Sequence, residues 1–170
     1  MPELIPPTVR LHAAFLECRD DWGPGLHEDG FGLTGDDDVD SPAGFASWVH
    51  ERVRLDHPAG DPCPEEKHGS PRWIVEDARV LGAIALRHRS DDETGHLGYG
   101  VRPSARRRGL ASWALGEMLG EARALGLDRV LIVCLAENVA SARMIERAGG
   151  VLAGIDGTAH APVRRYWIAL

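Results

Sequence analysis

The sequence predicts an α/β fold organised around a parallel strand–helix–strand unit. Three observations carry that expectation. The run "RVLIVCL" (129–135) is almost continuously apolar, as in a strand buried on both faces. Segments of helical period lie on either side of it, over 108–125 and 138–148. Short runs of strand character precede and follow them. From residue 72 the expected order is strand, strand, strand, helix, strand, helix, strand, strand. The central unit, with its helical connection, should be parallel and right-handed.

The first 70 residues are weakly patterned. "RLHAAFLECRDDW" (10–22) has apolar residues at helical spacing and predicts a short helix. "GLHEDGFGLTGDDDVDSPAG" (25–44) is rich in Gly and Asp and predicts a loop. Ser41-Pro42 opens a second helix over 42–54, with Phe45, Trp48, Val49 and Val53 on one stripe. The proline-rich stretch 56–71 is a further loop.

Patterning sharpens afterwards. "RWIVED" and "RVLGAIALRH" (79–88) are strands joined tightly near Asp77-Ala78. "HLGYGV" (96–101) sets Leu97, Tyr99 and Val101 against His96, Gly98 and Gly100, and Pro103 ends it because proline lacks a ladder N–H. In the helix over 108–125, Leu110, Ala114, Leu115, Met118, Leu119 and Ala122 form the apolar face, and Gly126 closes it. The helix over 138–148 closes at Gly149-Gly150. "VLAGI" and "RRYWIAL" (164–170) complete the set as a hairpin around "DGTAHAP".

Composition excludes several functions. The chain has 170 residues, the length of one domain, with 19 Lys+Arg against 26 Asp+Glu and a net charge of −7. Such a balance gives no broad positive field for nucleic acid or an anionic membrane. No apolar run approaches the roughly 18–20 residues that span a bilayer. The start, "MPELIPPTVRL", lacks the basic residues and apolar core of a signal peptide, so the cytoplasm is the expected compartment. Cys18, Cys63 and Cys134 are odd in number and widely spaced, which predicts reduced thiols. His57, Cys63 and His68 match no zinc spacing, and no metal is expected.

Against this acidic background stands "PSARRRGLASW" (103–113). Helix N-termini carry partial positive charge, so Arg106, Arg107 and Arg108 have the wrong sign there, at about 0.3–1 kcal/mol each. An anion on the free N–H groups reverses that sign. Gly109 and Ala111 let backbone approach a ligand, and the guanidiniums suit phosphate oxygens. The alternative is a solvated basic turn. Walker and dinucleotide glycine patterns are absent from the stretch.

"RRRGLA" (106–111), following a strand that ends "VRP", resembles the Arg/Gln-x-x-Gly-x-Gly/Ala acetyl-CoA motif of the GCN5-related N-acetyltransferase (GNAT) superfamily. "ENVASARMIERAGG" and the terminal "RRYWIAL" resemble later segments of its uncharacterised bacterial members. The likeness covers about 72–170 well and the first 70 residues vaguely. It implies a mixed, mostly antiparallel sheet with helices on both faces and a splayed parallel pair at the acetyl-CoA cleft. It implies one domain over 1–170, with 1–71 on the acceptor side and 72–170 as the acetyl-CoA-binding core.

The resemblance also implies roles. Backbone of Val101 and Pro103 would meet the pantetheine and acetyl carbonyl. Backbone N–H groups from Arg107 through Gly109 and Leu110 to Ala111 would hold the diphosphate, with side chains of Arg106, Arg107 and Arg108 on phosphate. Asn138 would hold the pantetheine, or be a plain N-cap. Ser141 would cap the helix or touch the cofactor. The family's usual acid, a tyrosine seven residues after that Asn, is replaced by Ile145. Tyr166 is then a candidate acid; His96 and Glu137, with His88 and Glu93, are candidate bases. Asp36–Asp38 and Glu65-Glu66 are candidate attractors of a cationic amine, or simply solvated loop.

The expected function is therefore acetyl-CoA-dependent transfer of an acetyl group to a primary amine of a small molecule or peptide, by direct attack. The alternative is a non-catalytic acyl-CoA-binding sensor that has lost its acid. A small-molecule or peptide amine is the expected partner, with no nucleic acid and no membrane; a homodimer stays open.

Overall fold

The computed structural model describes residues 1–25, 27–56, 69–89, 94–157 and 161–170. Its strands are β1 (Glu3–Ile5), β2 (Gly69–Glu76), β3 (Arg79–Arg87), β4 (Leu97–Val101), β5 (Arg129–Leu135), β6 (Val151–Gly157) and β7 (Pro162–Ala169). Its helices are α1 (His12–Asp21), α2 (Pro42–Arg54), α3 (Leu110–Ala124) and α4 (Val139–Arg147). The strands form one sheet in the order β1-β2-β3-β4-β5-β7-β6. All neighbours are antiparallel except β4 and β5. The expected mixed, mostly antiparallel sheet is what forms.

Local chemistry explains most boundaries. Ser41 caps α2 by accepting the Gly44 N–H at 3.0 Å, and Pro42 takes the first turn, where no N–H is needed. Asp77 and Ala78 both adopt positive φ, 50° and 60°, in the two-residue turn joining β2 to β3. β2 starts at Gly69, inside the expected loop over 56–71, and strand β1 departs from the sequence reading, which has only helices and loops before residue 72. Its three residues, flanked by Pro2 and Pro6, are too few to show a period, and they form an edge by pairing with β2.

Each face of the sheet carries a core. On one face, Leu110, Leu115 and Met118 of α3 and Ile145 of α4 pack on Ile84, Leu97 and Ile132. On the other, Phe15 of α1 sits among Phe31, Phe45, Trp48 and Trp73, with ring centroids 5.1–5.5 Å away. Aromatic pairs at this spacing contribute beyond their buried area.

Two polar devices fix the middle of the sheet. Asp21, ending α1, accepts from Arg102 Nε at 2.9 Å, the Ser104 N–H at 3.0 Å and Ser104 Oγ at 2.8 Å. These bonds hold its carboxyl down at about 2 and clamp α1 to the exit of β4. At the other end of β4, His96 Nδ1 accepts the buried Leu131 N–H at 2.9 Å, and the His96 N–H donates to Leu131 O at 2.7 Å. The ring is therefore the neutral Nε2–H tautomer. Burial, then the Arg87 charge, lowers its pKa.

Both devices make stability fall with acid, in separate windows. Asp21 ionises at a lower pH folded than the ordinary 3.8, so its contribution is present above 3.8 and is lost as pH falls toward about 2. His96 titrates below its ordinary 6.5, so stability declines as pH drops from 6.5 toward the folded value. Urea unfolding across pH should show both phases, and His96→Ala should remove only the upper one. His96→Ala should also cost about 1–3 kcal/mol at neutral pH by stranding the Leu131 N–H. Asp21→Asn should cost about 3 kcal/mol, because it leaves the Arg102 guanidinium buried beside a neutral partner.

Candidate functional site

The parallel pair β4–β5 meets at a single register position, Leu97 with Ile132. Beyond it the strands separate, while β4 stays paired to β3 as far as Val101. The Arg102 N–H donates to Leu81 O of β3 at 2.8 Å. By the alternation of an antiparallel ladder, Tyr99 and Val101 turn their N–H and C=O groups away from β3 and toward β5. The gap is thus edged by backbone able to pair with an extended ligand.

The open end of the gap leads to α3. Pro103–Ala105 form one 3-10 turn, and Pro103 O accepts the Arg106 N–H at 3.3 Å. Arg107 and Gly109 then take left-handed backbone, φ 62° and 78°. Gly109 is the N-cap of α3 and offers no side-chain acceptor; the first turn carries no acidic residue. The N–H groups of Arg107 to Ala111 have no acceptor among the described residues. A Cβ added to Gly109 would meet nothing within 4 Å, so space lies open beside these donors. Unsatisfied N–H groups, a helix N-terminus and alternating left-handed turns make an anion-binding concavity.

The three arginines are not equivalent. Arg106 folds back: Nε donates to Val101 O at 3.1 Å, and its guanidinium lies 4.8 Å from the Trp22 ring centroid. Arg108 pairs with Glu76 at 2.5 Å. Arg107 is exposed and has no side-chain partner among the described residues. Of the three, it is the guanidinium available to a phosphate.

Across the gap, Asn138 is the N-cap of α4, accepting the Ser141 N–H at 3.1 Å. Ser141 does not cap; its hydroxyl lies 2.5 Å from the Tyr99 hydroxyl, spanning from α4 to β4. Burial, only partly offset by this hydrogen bond, raises the Tyr99 pKa, so the phenol stays protonated. Burial likewise raises the Cys134 thiol, which also contacts Ser141.

Other sequence candidates lie elsewhere. Tyr166 is fully buried on β7, on the far side of β5 from β4, and donates to Glu146 Oε1 at 3.0 Å. Ile145 is fully buried in the core, and Gly150 packs against it. Glu137 is exposed in the turn after β5. His88 lies beyond β3, with Nε2 3.1 Å from Ser70 Oγ. His96 is at the closed end of the gap, its Nδ1 engaged. Glu93, His57, Cys63, Glu65, Glu66 and His68 lie outside the described residues. Among the described residues no group of three His, Cys, Asp or Glu side chains is arranged to hold a metal.

Two residues of the acidic stretch serve turns. Asp37 accepts the Thr34 N–H at 2.8 Å, and Asp38 accepts Ser41 Oγ at 2.5 Å. Sequence reasoning missed the piece of that loop that reaches the gap. Gly30 and Gly100 let the loop cross β3 and β4 in direct backbone contact. A Cβ on Gly100 would lie 2.5 Å from the carbonyl carbon of Asp29, and one on Gly30 2.3 Å from Ala83 O. Asp29 is buried there and accepts the Phe31 N–H at 2.8 Å. The glycine on the α1/α2 face of β4 was the available signal, but its partner was not.

The GNAT acetyltransferase domain model matches residues 18–151, which take in the gap, the cradle and α4. Solved structures share the fold. One is a Salmonella typhimurium acetyltransferase that modifies the N-terminal serine of ribosomal protein L7/L12, at 19% identity and TM-score 0.72, over 99% of this chain and 95% of that one. Another is the microcin C7 self-immunity acetyltransferase, solved with acetyl-CoA and AMP, at 15% identity and TM-score 0.70, over 99% and 92%. A third is a ribosomal L7/L12 α-N-protein acetyltransferase in complex with coenzyme A, at 18% identity and TM-score 0.75, over 99% and 94%. A search of curated proteins finds no match. The match over most of the chain, on the fold those enzymes share, shows that this protein belongs to the GNAT acetyltransferase family.

Proposed function

We propose that the protein is an acetyl-CoA-dependent N-acetyltransferase that moves the acetyl group directly from the thioester to a primary amine. One observation carries the reading: five successive backbone N–H groups, Arg107 to Ala111, lack acceptors at the open end of the β4–β5 gap. A diphosphate matches those donors and offsets the arginine charges at the helix start. The fold's relatives include enzymes solved with acetyl-CoA or coenzyme A, which supports the same ligand here.

The residues suit each part of that ligand. The diphosphate lies on the cradle, with Arg107 on its outer side. The pantetheine runs along the β4 edge, meeting backbone at Tyr99 and Val101. Asn138 and Ser141 line the opposite wall. The acceptor must shed a proton, since a free alkylamine ionises near 10.4. Thioester and amine held in one narrow gap gain the advantage of proximity. Backbone donors beside the acetyl carbonyl stabilise its developing charge. His96 positions the closed end of the gap rather than handling the proton.

A second reading, a non-catalytic acyl-CoA-binding module, draws on Ile145 in the core and on Tyr166 held by Glu146. It predicts binding without turnover.

Acetyl-CoA at 100-fold over Kd should add about 2.7 kcal/mol of stability, a rise of about 5–10 °C in Tm. Gly109→Glu should abolish that rise while the free protein still folds, because the new carboxylate occupies the anion site. An unchanged rise in the variant would contradict the cradle. Thiol release across polyamines, amino acids, aminoglycosides and peptides should show turnover. Binding with no turnover of any amine would favour the second reading.

A further inference from the structure

Within the loop joining α1 to α2, Glu28 and Asp36 are the two carboxylates left unengaged among the described residues, and only Glu28 adjoins Asp29. Asp29, Asp37, Asp38 and Asp40 each accept hydrogen bonds from the protein. Glu28 makes no hydrogen bond or ion pair among the described residues. It precedes Asp29, whose backbone lies against Gly100 on the stretch of β4 that has parted from β5. The fold therefore pins Glu28 beside the gap.

Electrostatics gives the same placement. The Glu28 charge adds to the burial that raises both the Tyr99 hydroxyl and the Cys134 thiol, one on each strand flanking the gap. Burial also raises the Glu28 carboxyl itself, although the residue remains open to solvent. The ionisable groups around it are Tyr99 of β4, Cys134 of β5, and His27 and Asp29 on its own loop. Against the burial that raises both groups, His27 lowers Asp29 and Arg164 lowers Cys134, but no cation is bonded to the Glu28 carboxylate or offsets its burial.

We propose that Glu28 is the acceptor-side catalytic residue: it binds the ammonium of a cationic primary amine at the mouth of the β4–β5 gap and takes its proton. This rests on the acetyl-CoA reading of the gap. The ammonium gives one proton to Glu28 and becomes the nucleophile. The nitrogen–carbon bond forms as the carbon–sulfur bond breaks, and that bond's electron pair leaves on sulfur. The second proton lost by nitrogen neutralises the thiolate, and Glu28 returns its own to solvent. A carboxylate raised from its ordinary value is better matched to this task than an ordinary one. It also selects against neutral and anionic acceptors.

Glu28→Gln keeps the shape and removes the charge. The chain has two tyrosines, so labelling tyrosine Cζ with carbon-13 gives two resonances. The Tyr99 signal should move with pH in the wild type, with a midpoint above the ordinary glutamate value of 4.5, and lose that transition in Glu28→Gln. Tyr166, beside Glu146, should be unaffected. Acetyl transfer to 1,4-diaminobutane, an aminoglycoside and a peptide with a free N-terminus should fall about 10²–10⁴-fold in kcat/KM, with the carboxylate limb of the pH profile lost. The acetyl-CoA rise in Tm should be equal in both proteins. An unmoved Tyr99 transition, or unchanged turnover, would overturn the assignment. So would a wild type that binds acetyl-CoA and acetylates none of the three amines. If acetyl-CoA binds neither protein, the underlying reading fails instead.

Discussion

Two parallel strands that touch at one position and then part organise this molecule. A regular parallel ladder between β4 and β5 would close the sheet and leave no room between them. Instead the pair is fastened at Leu97 and Ile132, with His96 supplying an extra bond to Leu131, and opens toward α3. Neighbouring strands make the opening tolerable. β4 remains bound to β3, and β5 is bound to β7 along its whole length. Each separated strand thus keeps one complete ladder, and the unsatisfied backbone groups are concentrated on the inner edges.

That geometry aligns the local chemistry. The chain leaving β4 must turn at once into α3, which brings the helix N-terminus to the open end of the gap. Left-handed backbone at Arg107 and Gly109 turns the donors outward. The Arg102–Asp21 pair, its guanidinium buried, fixes this exit to α1. The helices of the α1/α2 face are thereby coupled to the anion cradle, and the loop after α1 is held at the other rim of the gap. The α1/α2 face and the start of α3 share one clamp.

The two halves of the chain were unequally legible in sequence. β5 was readable because both faces are buried and its apolar run has one interpretation. The β2–β3 hairpin was readable although its turn uses Asp77 and Ala78 where glycine or asparagine is more common. The turn into α3 was readable because Pro103, Gly109 and the apolar run after them are contiguous. By contrast, Arg106, Arg107 and Arg108 look alike in sequence. What separates them is Val101 and Trp22 on one side and Glu76 on the other, partners set by tertiary structure. Tyr99 was placed on the correct face by period two, but Ser141 lies 42 residues away. Tyr166 looked available because a strand position says nothing about which side of β5 it occupies. Glu28 was hidden in a Gly/Asp-rich loop, where only the crossing at Gly30 and Gly100 distinguishes it from the acidic residues nearby.

We propose that the β4–β5 gap and the start of α3 form one continuous site for acetyl-CoA. Amide hydrogen exchange, measured residue by residue with and without acetyl-CoA, tests it most directly. Exchange should slow at Arg107 to Ala111 and along Tyr99 to Val101, with β1 and β6 unchanged. Protection confined to other elements, or exchange at Arg107 to Ala111 unaltered by saturating acetyl-CoA, would contradict it.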